Sequence, residues 1–195
     1  MSVPDTAAPA PPTTGPLVRA AVPADYPAIR EVVFAAYRQY AGLIERDVFS
    51  PYLAGVLDLD THASRGRMVV IEADERVCAF GAFYPDGSIH GFPPGCASGR
   101  ALAVHPDARG NGAARALLTA GEDLALQAGA PVLAFHTHSY MAGAIALYER
   151  LGYRRAPQFD VDVAARYGGF GAAPIVALAY VRYLTQKHMT VRRTR

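Results

Sequence analysis

Apolar and polar positions along the chain fall into short runs separated by turn residues, and the runs change period as they go. LVRAAV at 17–22 reads as a first strand. Pro23 and Asp25 then open a helix, with Asp25 as candidate N-cap and Gly42 as stop. Its apolar stripe is Ile29, Val32, Val33, Ala36 and Tyr40. SPYLAGVLDLDTHAS, 50–64, predicts a looser second helix after Pro51. RMVVIEA (67–73) and VCAFGAFYP (77–85), joined by DER, predict a hairpin. The turn-rich stretch 86–99 predicts a long loop, and RALAVHP (100–106) a fourth strand. Helical spacing then returns at Ala114, Leu117, Leu118, Gly121, Ala125 and Ala128, with Gly129 and Pro131 ending the helix. PVLAFHT (131–137) predicts a fifth strand and SYMAGAIALYERLG (139–152) a helix closed by Gly152. YRRAPQFDVDV (153–163) and APIVALAYVRYL (173–184) supply two more strands.

The order is β-α-α-β-β-β-α-β-α-β-β. It predicts an α/β fold of the α+β type, in which an antiparallel meander joins β-α-β crossovers in one mixed, helix-covered sheet. Composition sharpens the boundaries. Residues 1–16 carry five prolines among Ala and Thr and read as a disordered tail. Lys187, Arg192, Arg193 and Arg195 form a basic tail at 187–195, leaving one domain over 17–186. A net charge of +2 makes no case for nucleic acid. Two cysteines, Cys78 and Cys96, without a CxxC imply neither a disulfide framework nor a metal site. The N-terminus lacks the basic and apolar regions of a signal peptide, and the apolar run at 172–181 is too short to span a bilayer. The expectation is a cytoplasmic protein with no membrane partner.

The stretch HPDARGNGAARALL, 105–118, carries the chemistry. A strand, a tight turn of small residues and a helix start bring unpaired N–H groups together at the positive end of a helix, which is an anion site. Arg109 adds a cation at its rim. Three ligands compete. A Walker loop would need a Gly-Lys-Ser/Thr ending, and no Lys is present. A dinucleotide fingerprint fits Gly110 and Gly112 but meets Arg115 at its third glycine, and lies past mid-chain. The third ligand is the pyrophosphate of coenzyme A.

Arg109-Gly110-Asn111-Gly112-Ala113-Ala114, preceded by Val104-His105-Pro106, resembles the signature of the GCN5-related N-acetyltransferases. A second signature of that family, Ala-x-x-x-Tyr followed by Gly and an aromatic residue, is matched by Ala144, Tyr148, Gly152 and Tyr153. The resemblance spans residues 17–185. It implies a mostly antiparallel central sheet around a β-α-β acyl-CoA-binding core, whose fourth and fifth strands part to admit the pantetheine arm. Acetyl-CoA would be the co-substrate, with no metal. Leu102, Ala103, Val104, Arg109, Gly110, Asn111, Gly112, Ala113 and Ala114 would hold it, and Tyr148 would protonate the departing thiolate. Met141 stands where many members have Asn, and the fourth strand has no carboxylate. The general base is left to His136, His138, Glu72 or water, with His90 and His105 as candidates by residue type alone. The acceptor is a small-molecule or protein amine, and a homodimer is compatible with the sequence. Segments 42–66 and 164–173 should flank the acceptor with Tyr40, Phe49, Tyr52, Tyr167 and Phe170. Glu45, Asp47, Asp58 and Asp60 there would suit a cationic amine. The rival reading is an acyl-CoA sensor or scaffold that transfers nothing.

Overall fold

In the computed structural model, which describes residues 16–43, 46–163 and 176–185, the sheet begins as a meander. β1 (Leu17–Ala20), β2 (Arg67–Ala73), β3 (Arg76–Tyr84) and β4 (Cys96–Val104) pair antiparallel in sequence. β5 (Val132–Thr137) then lies parallel to β4. β6 (Arg154–Arg155) and β7 (Val161–Asp162) are short, and both pair antiparallel with β8 (Val176–Tyr183), which itself returns along β5. The order β1-β2-β3-β4-β5-β8-β6 makes β4–β5 the one parallel junction among the described strands. The mixed, mostly antiparallel sheet is therefore as the sequence predicts.

Alternation along β3 sends side chains to two cores. Phe80, Ala82 and Tyr84 pack with Ile29, Val33, Val56 and Leu59 under α1 (Tyr26–Tyr37), α2 (Arg46–Val56) and α3 (Leu59–Arg65). Ala79 and Phe83 pack with Leu117, Leu118 and Tyr148 under α4 (Ala113–Gln127) and α5 (Ala142–Arg150). α4 lies unusually close to the sheet, because a Cβ on Gly121 would stand 2.0 Å from the Phe83 ring. Both later helices end as their glycines dictate. At α5 the Gly152 N–H donates to Glu149 O and the Tyr153 N–H to Tyr148 O, with Gly152 at φ 85°. Gly129 closes α4 the same way, at φ 76°.

Four expectations are corrected. Asp25 is the N-cap residue of α1, but its side chain makes no bond to that helix; it reaches back to accept from the Val22 N–H at 2.8 Å and pairs with Arg19 at 2.7 Å, and that pairing holds its carboxyl below the usual range. The segment 50–64 is two helices. α2 runs through Pro51, and Asp58 then starts α3 by accepting from the Thr61 N–H at 3.1 Å. β4 begins at Cys96, because pairing with strands on both sides overrides the turn-rich composition there. The strand expected over 153–163 is split by a 3₁₀ turn at Pro157–Phe159, which the Arg155–Asp160 ion pair closes. Among the described residues no helix is long and apolar enough to cross a membrane.

Candidate functional site

β4 and β5 pair only from Cys96–Val132 to Gly99–Phe135. Beyond that point β4 turns away, and the cause is local. Ala101 sits at φ 56°, a left-handed conformation rare for a residue with a side chain, and the register against β3 shifts between Phe80 and Ala82. The bulge lies opposite Gly81, where an added Cβ would stand 3.2 Å from the Phe83 ring. On the β5 side the Phe135 ring lies on Gly99, where an added Cβ would stand 2.0 Å from it. Tyr148 stacks on Phe135 at 5.2 Å and an interplanar angle of 18°. A wedge of Gly99, Phe135 and Tyr148 thus stands where the strands part. Tyr148 is 5% exposed, and burial pushes its phenol pKa up. Tyr153 holds the wedge from behind by donating to the buried Glu122, which also pairs with Arg182.

The gap opens into a cleft of about 720 Å³. One end is the turn before α4. Gly110 and Gly112 both sit at φ 83°, and a Cβ added to either would meet nothing within 4 Å. Backbone conformation, not crowding, requires glycine there. Gly112 is the α4 N-cap and offers no side-chain hydrogen bond, so the first-turn N–H groups face the cleft without a cap. Of the residues the resemblance assigns to acetyl-CoA, Leu102, Ala103, Val104, Arg109, Gly110, Gly112, Ala113 and Ala114 line the cleft; Asn111 does not. His105 faces its own turn, accepting from the Asp107 N–H. Met141 is buried at the start of α5, where Thr137 Oγ1 donates to its sulfur at 3.6 Å. The position of the family's Asn is thus apolar.

The other end is aromatic. Tyr37, Tyr40, Tyr52 and Tyr140 line it, linked by ring contacts of 5.6–6.1 Å. The Tyr37 hydroxyl donates to the Leu102 carbonyl at 3.4 Å, tying this wall to the bulge. Burial raises all four phenols, Tyr52 to about 12. His138 stacks on Tyr140 at 5.1 Å and meets Tyr52 edge-on. Its Nδ1 is buried without a hydrogen-bond partner among the described residues, its ring also meets the Val176 backbone, and burial lowers its pKa. His136 instead has Nε2 on the Phe159 carbonyl at 2.8 Å and its ring stacked on Phe92. His90 lines the cleft with Nδ1 on Ser98 Oγ at 2.6 Å. Glu72 does not line the cleft; it pairs with Arg19 at 2.8 Å beside the edge strand.

Charge in the cleft is one-sided. Arg100, Arg109, Arg115 and Arg150 line it, and among the described residues no carboxylate does. Asp58 and Asp60, expected near the acceptor, lie outside it, as does Phe49, and Asp58 is spent on capping α3. Glu45, Tyr167, Phe170 and the loop 164–173 fall outside the described residues, as does the Asp47 side chain. The aromatic wall of Tyr37 and Tyr140 and the place of Arg100 escaped sequence reasoning. The glycine inside the apolar run VCAFGAFYP was the one local sign of the bulge.

The sequence profile of the acetyltransferase (GNAT) family matches residues 29–153, and the chain belongs to that family. No curated protein sequence matches it significantly. Among solved structures, the PaiA N-acetyltransferase of Thermoplasma acidophilum in complex with coenzyme A is 12% identical, with a TM-score of 0.66 over 87% of this chain and 99% of its own. YncA of Salmonella typhimurium, solved with its cofactor acetyl-CoA, is 20% identical, with a TM-score of 0.57 over 89% and 96%. The ribosomal-protein-S18-alanine N-acetyltransferase of Escherichia coli is 18% identical, with a TM-score of 0.57 over 92% and 99%. At these identities the likeness is one of fold.

Proposed function

We propose that the protein is an N-acetyltransferase that moves the acetyl group of acetyl-CoA to a primary amine in a ternary complex. One observation carries the reading: a single cleft runs from the uncapped N-terminus of α4, through the gap between β4 and β5, to a wall of aromatic side chains. The first-turn N–H groups and Arg109 suit a pyrophosphate. The bulge at Ala101 frees backbone from the ladder beside the gap, where N–H groups can polarise a thioester carbonyl. PaiA and YncA, solved with coenzyme A and acetyl-CoA, support the choice of co-substrate.

His138 takes a proton from the acceptor's ammonium at Nδ1, and the neutral amine attacks the carbonyl carbon. A C–N bond forms, the C–S bond breaks with its electron pair going to sulfur, and the Tyr148 hydroxyl gives the thiolate its proton; the second proton, lost by the nitrogen as it becomes an amide, passes through water to the Tyr148 oxygen and restores the phenol. Burial keeps Tyr148 protonated and His138 neutral near pH 7, the states these roles require. Held together in the cleft, the reactants need little further catalysis by covalent means.

Calorimetry with acetyl-CoA and thiol release with amines test this. Tyr148→Phe removes only the hydroxyl and keeps the stack on Phe135. It should hold its melting temperature and acetyl-CoA affinity while turnover falls by about 10²–10⁴. Wild-type turnover in that variant would assign the acid elsewhere. Binding without thiol release from any amine would make the chain an acyl-CoA sensor.

A further inference from the structure

We propose that the acceptor amine carries an anionic group, a carboxylate or a phosphate, which Arg100 binds. The inference rests on acetyl transfer as the function and narrows its acceptor.

Arg100 stands one residue past Gly99, the last position at which β4 pairs with β5. It lies opposite Ala82, as Ser98 lies opposite Tyr84, so its side chain shares the sheet face that α1, α2 and α3 cover. Its charge acts on Tyr52 of α2, His62 of α3 and Tyr84 of β3, and the exposed Asp58 acts on the last two as well. Arg100 is half-buried and lines the cleft, yet among the described residues it has neither a carboxylate nor a hydrogen-bond partner. The other inward-reaching arginines are matched: Arg19 by Asp25 and Glu72, Arg155 by Asp160, Arg182 by Glu122.

A half-buried cation without a counter-charge is costly, and a ligand that supplies the charge repays it. The planar fork of arginine fits the paired oxygens of a carboxylate or phosphate. The rest of the acceptor end agrees. Among the described residues the cleft is lined by no carboxylate, which leaves nothing there to hold the second ammonium of a diamine. The ring of His138, the base of the proposed reaction, lines the same cleft, so one acceptor can span from its anion at Arg100 to the gap and the base. The tyrosines around it suit an apolar or aromatic body between the two polar ends.

The test uses matched acceptors with acetyl-CoA and thiol detection: L-phenylalanine against L-phenylalaninamide, L-alanine against L-alaninamide, O-phosphoethanolamine against ethanolamine, and putrescine. The anionic member of a pair should have a kcat/KM at least tenfold higher, mostly through KM. The carboxylate and phosphate pairs tell the two anions apart. In Arg100→Gln the ratio within a pair should collapse toward one, and Arg100→Lys should restore part of it, with melting curves confirming both folds. Equal use of both members, preference for the amide or putrescine, or a ratio that survives Arg100→Gln would overturn the proposal. Calorimetry separates its failure from failure of the parent reading. Loss of acetyl-CoA binding sinks the function itself. The same pairs titrated into the coenzyme A-bound protein test the anion preference even without turnover, and no preference there overturns it.

Discussion

His138 differs from the other cleft histidines in what its ring nitrogens touch. His136 has Nε2 on a backbone carbonyl and His90 has Nδ1 on Ser98, whereas Nδ1 of His138 is buried and has no partner among the described residues. Burial lowers its pKa, so the neutral form persists below the ordinary value of ~6.5. The acid limb of kcat/KM against pH should therefore bend below about 6.5, and His138→Gln should lose about 10²-fold in kcat/KM together with that limb. A variant that keeps the wild-type limb would assign the base to another group. The same shift bears on stability. Because the fold disfavours protonated His62 and His138, their contribution is present above ~6.5 and is lost as pH falls through the lowered folded values. Such distinctions were not legible in the sequence. The tight turn before α4 and the place of Tyr148 on α5 were, because helix starts and i, i+4 spacing are local. Whether a given histidine or Arg100 is satisfied depends on strand register and on which helix docks opposite, and neither is local.

At the scale of elements, β4 and β5 are built to part, and Gly99 marks the place. Gly99→Ala would put a Cβ 2.0 Å from Phe135, whose ring is already held by Tyr148. Overpacking there should cost about 1–3 kcal/mol in urea unfolding. Because the strain is relieved by moving the Phe135–Tyr148 stack, turnover should fall by more than the stability loss explains. An unchanged turnover at reduced stability would show that the wedge is only packing. Element types were legible wherever a period ran long, as in β2, β3, α4 and α5. Boundaries slipped where tertiary contacts decided them. β4 gained residues from pairing on both sides, while the expected strand over 153–163 lost its middle to Pro157 and the Arg155–Asp160 clasp. The bulge at Ala101 has no signature of its own, since alanine does not advertise a left-handed backbone.

For the molecule as a whole, the cleft separates two cores that share one sheet. α1, α2 and α3 pack on one face, α4 and α5 on the other, and the strands between them part beyond Gly99. Coenzyme A bound as proposed would join the α4 turn to both strands and to the aromatic wall, contacts the unfolded chain cannot make. At a hundredfold excess over its dissociation constant, a ligand specific to the folded state adds about 2.7 kcal/mol. For a chain of this size each kcal/mol moves the melting temperature by roughly 2–4 °C. Coenzyme A should then raise it by about 5–10 °C in a thermal melt, and adenosine alone, without the pyrophosphate and the arm, by much less. Residues 1–16 and 187–195 were assigned to tails on composition, so a 17–186 chain should show the same melting temperature and the same shift. A truncated chain that melts normally but loses the shift would place a tail in the cleft. Equal shifts from coenzyme A and adenosine would move the binding energy away from the α4 turn and contradict the anion site on which the functional reading stands.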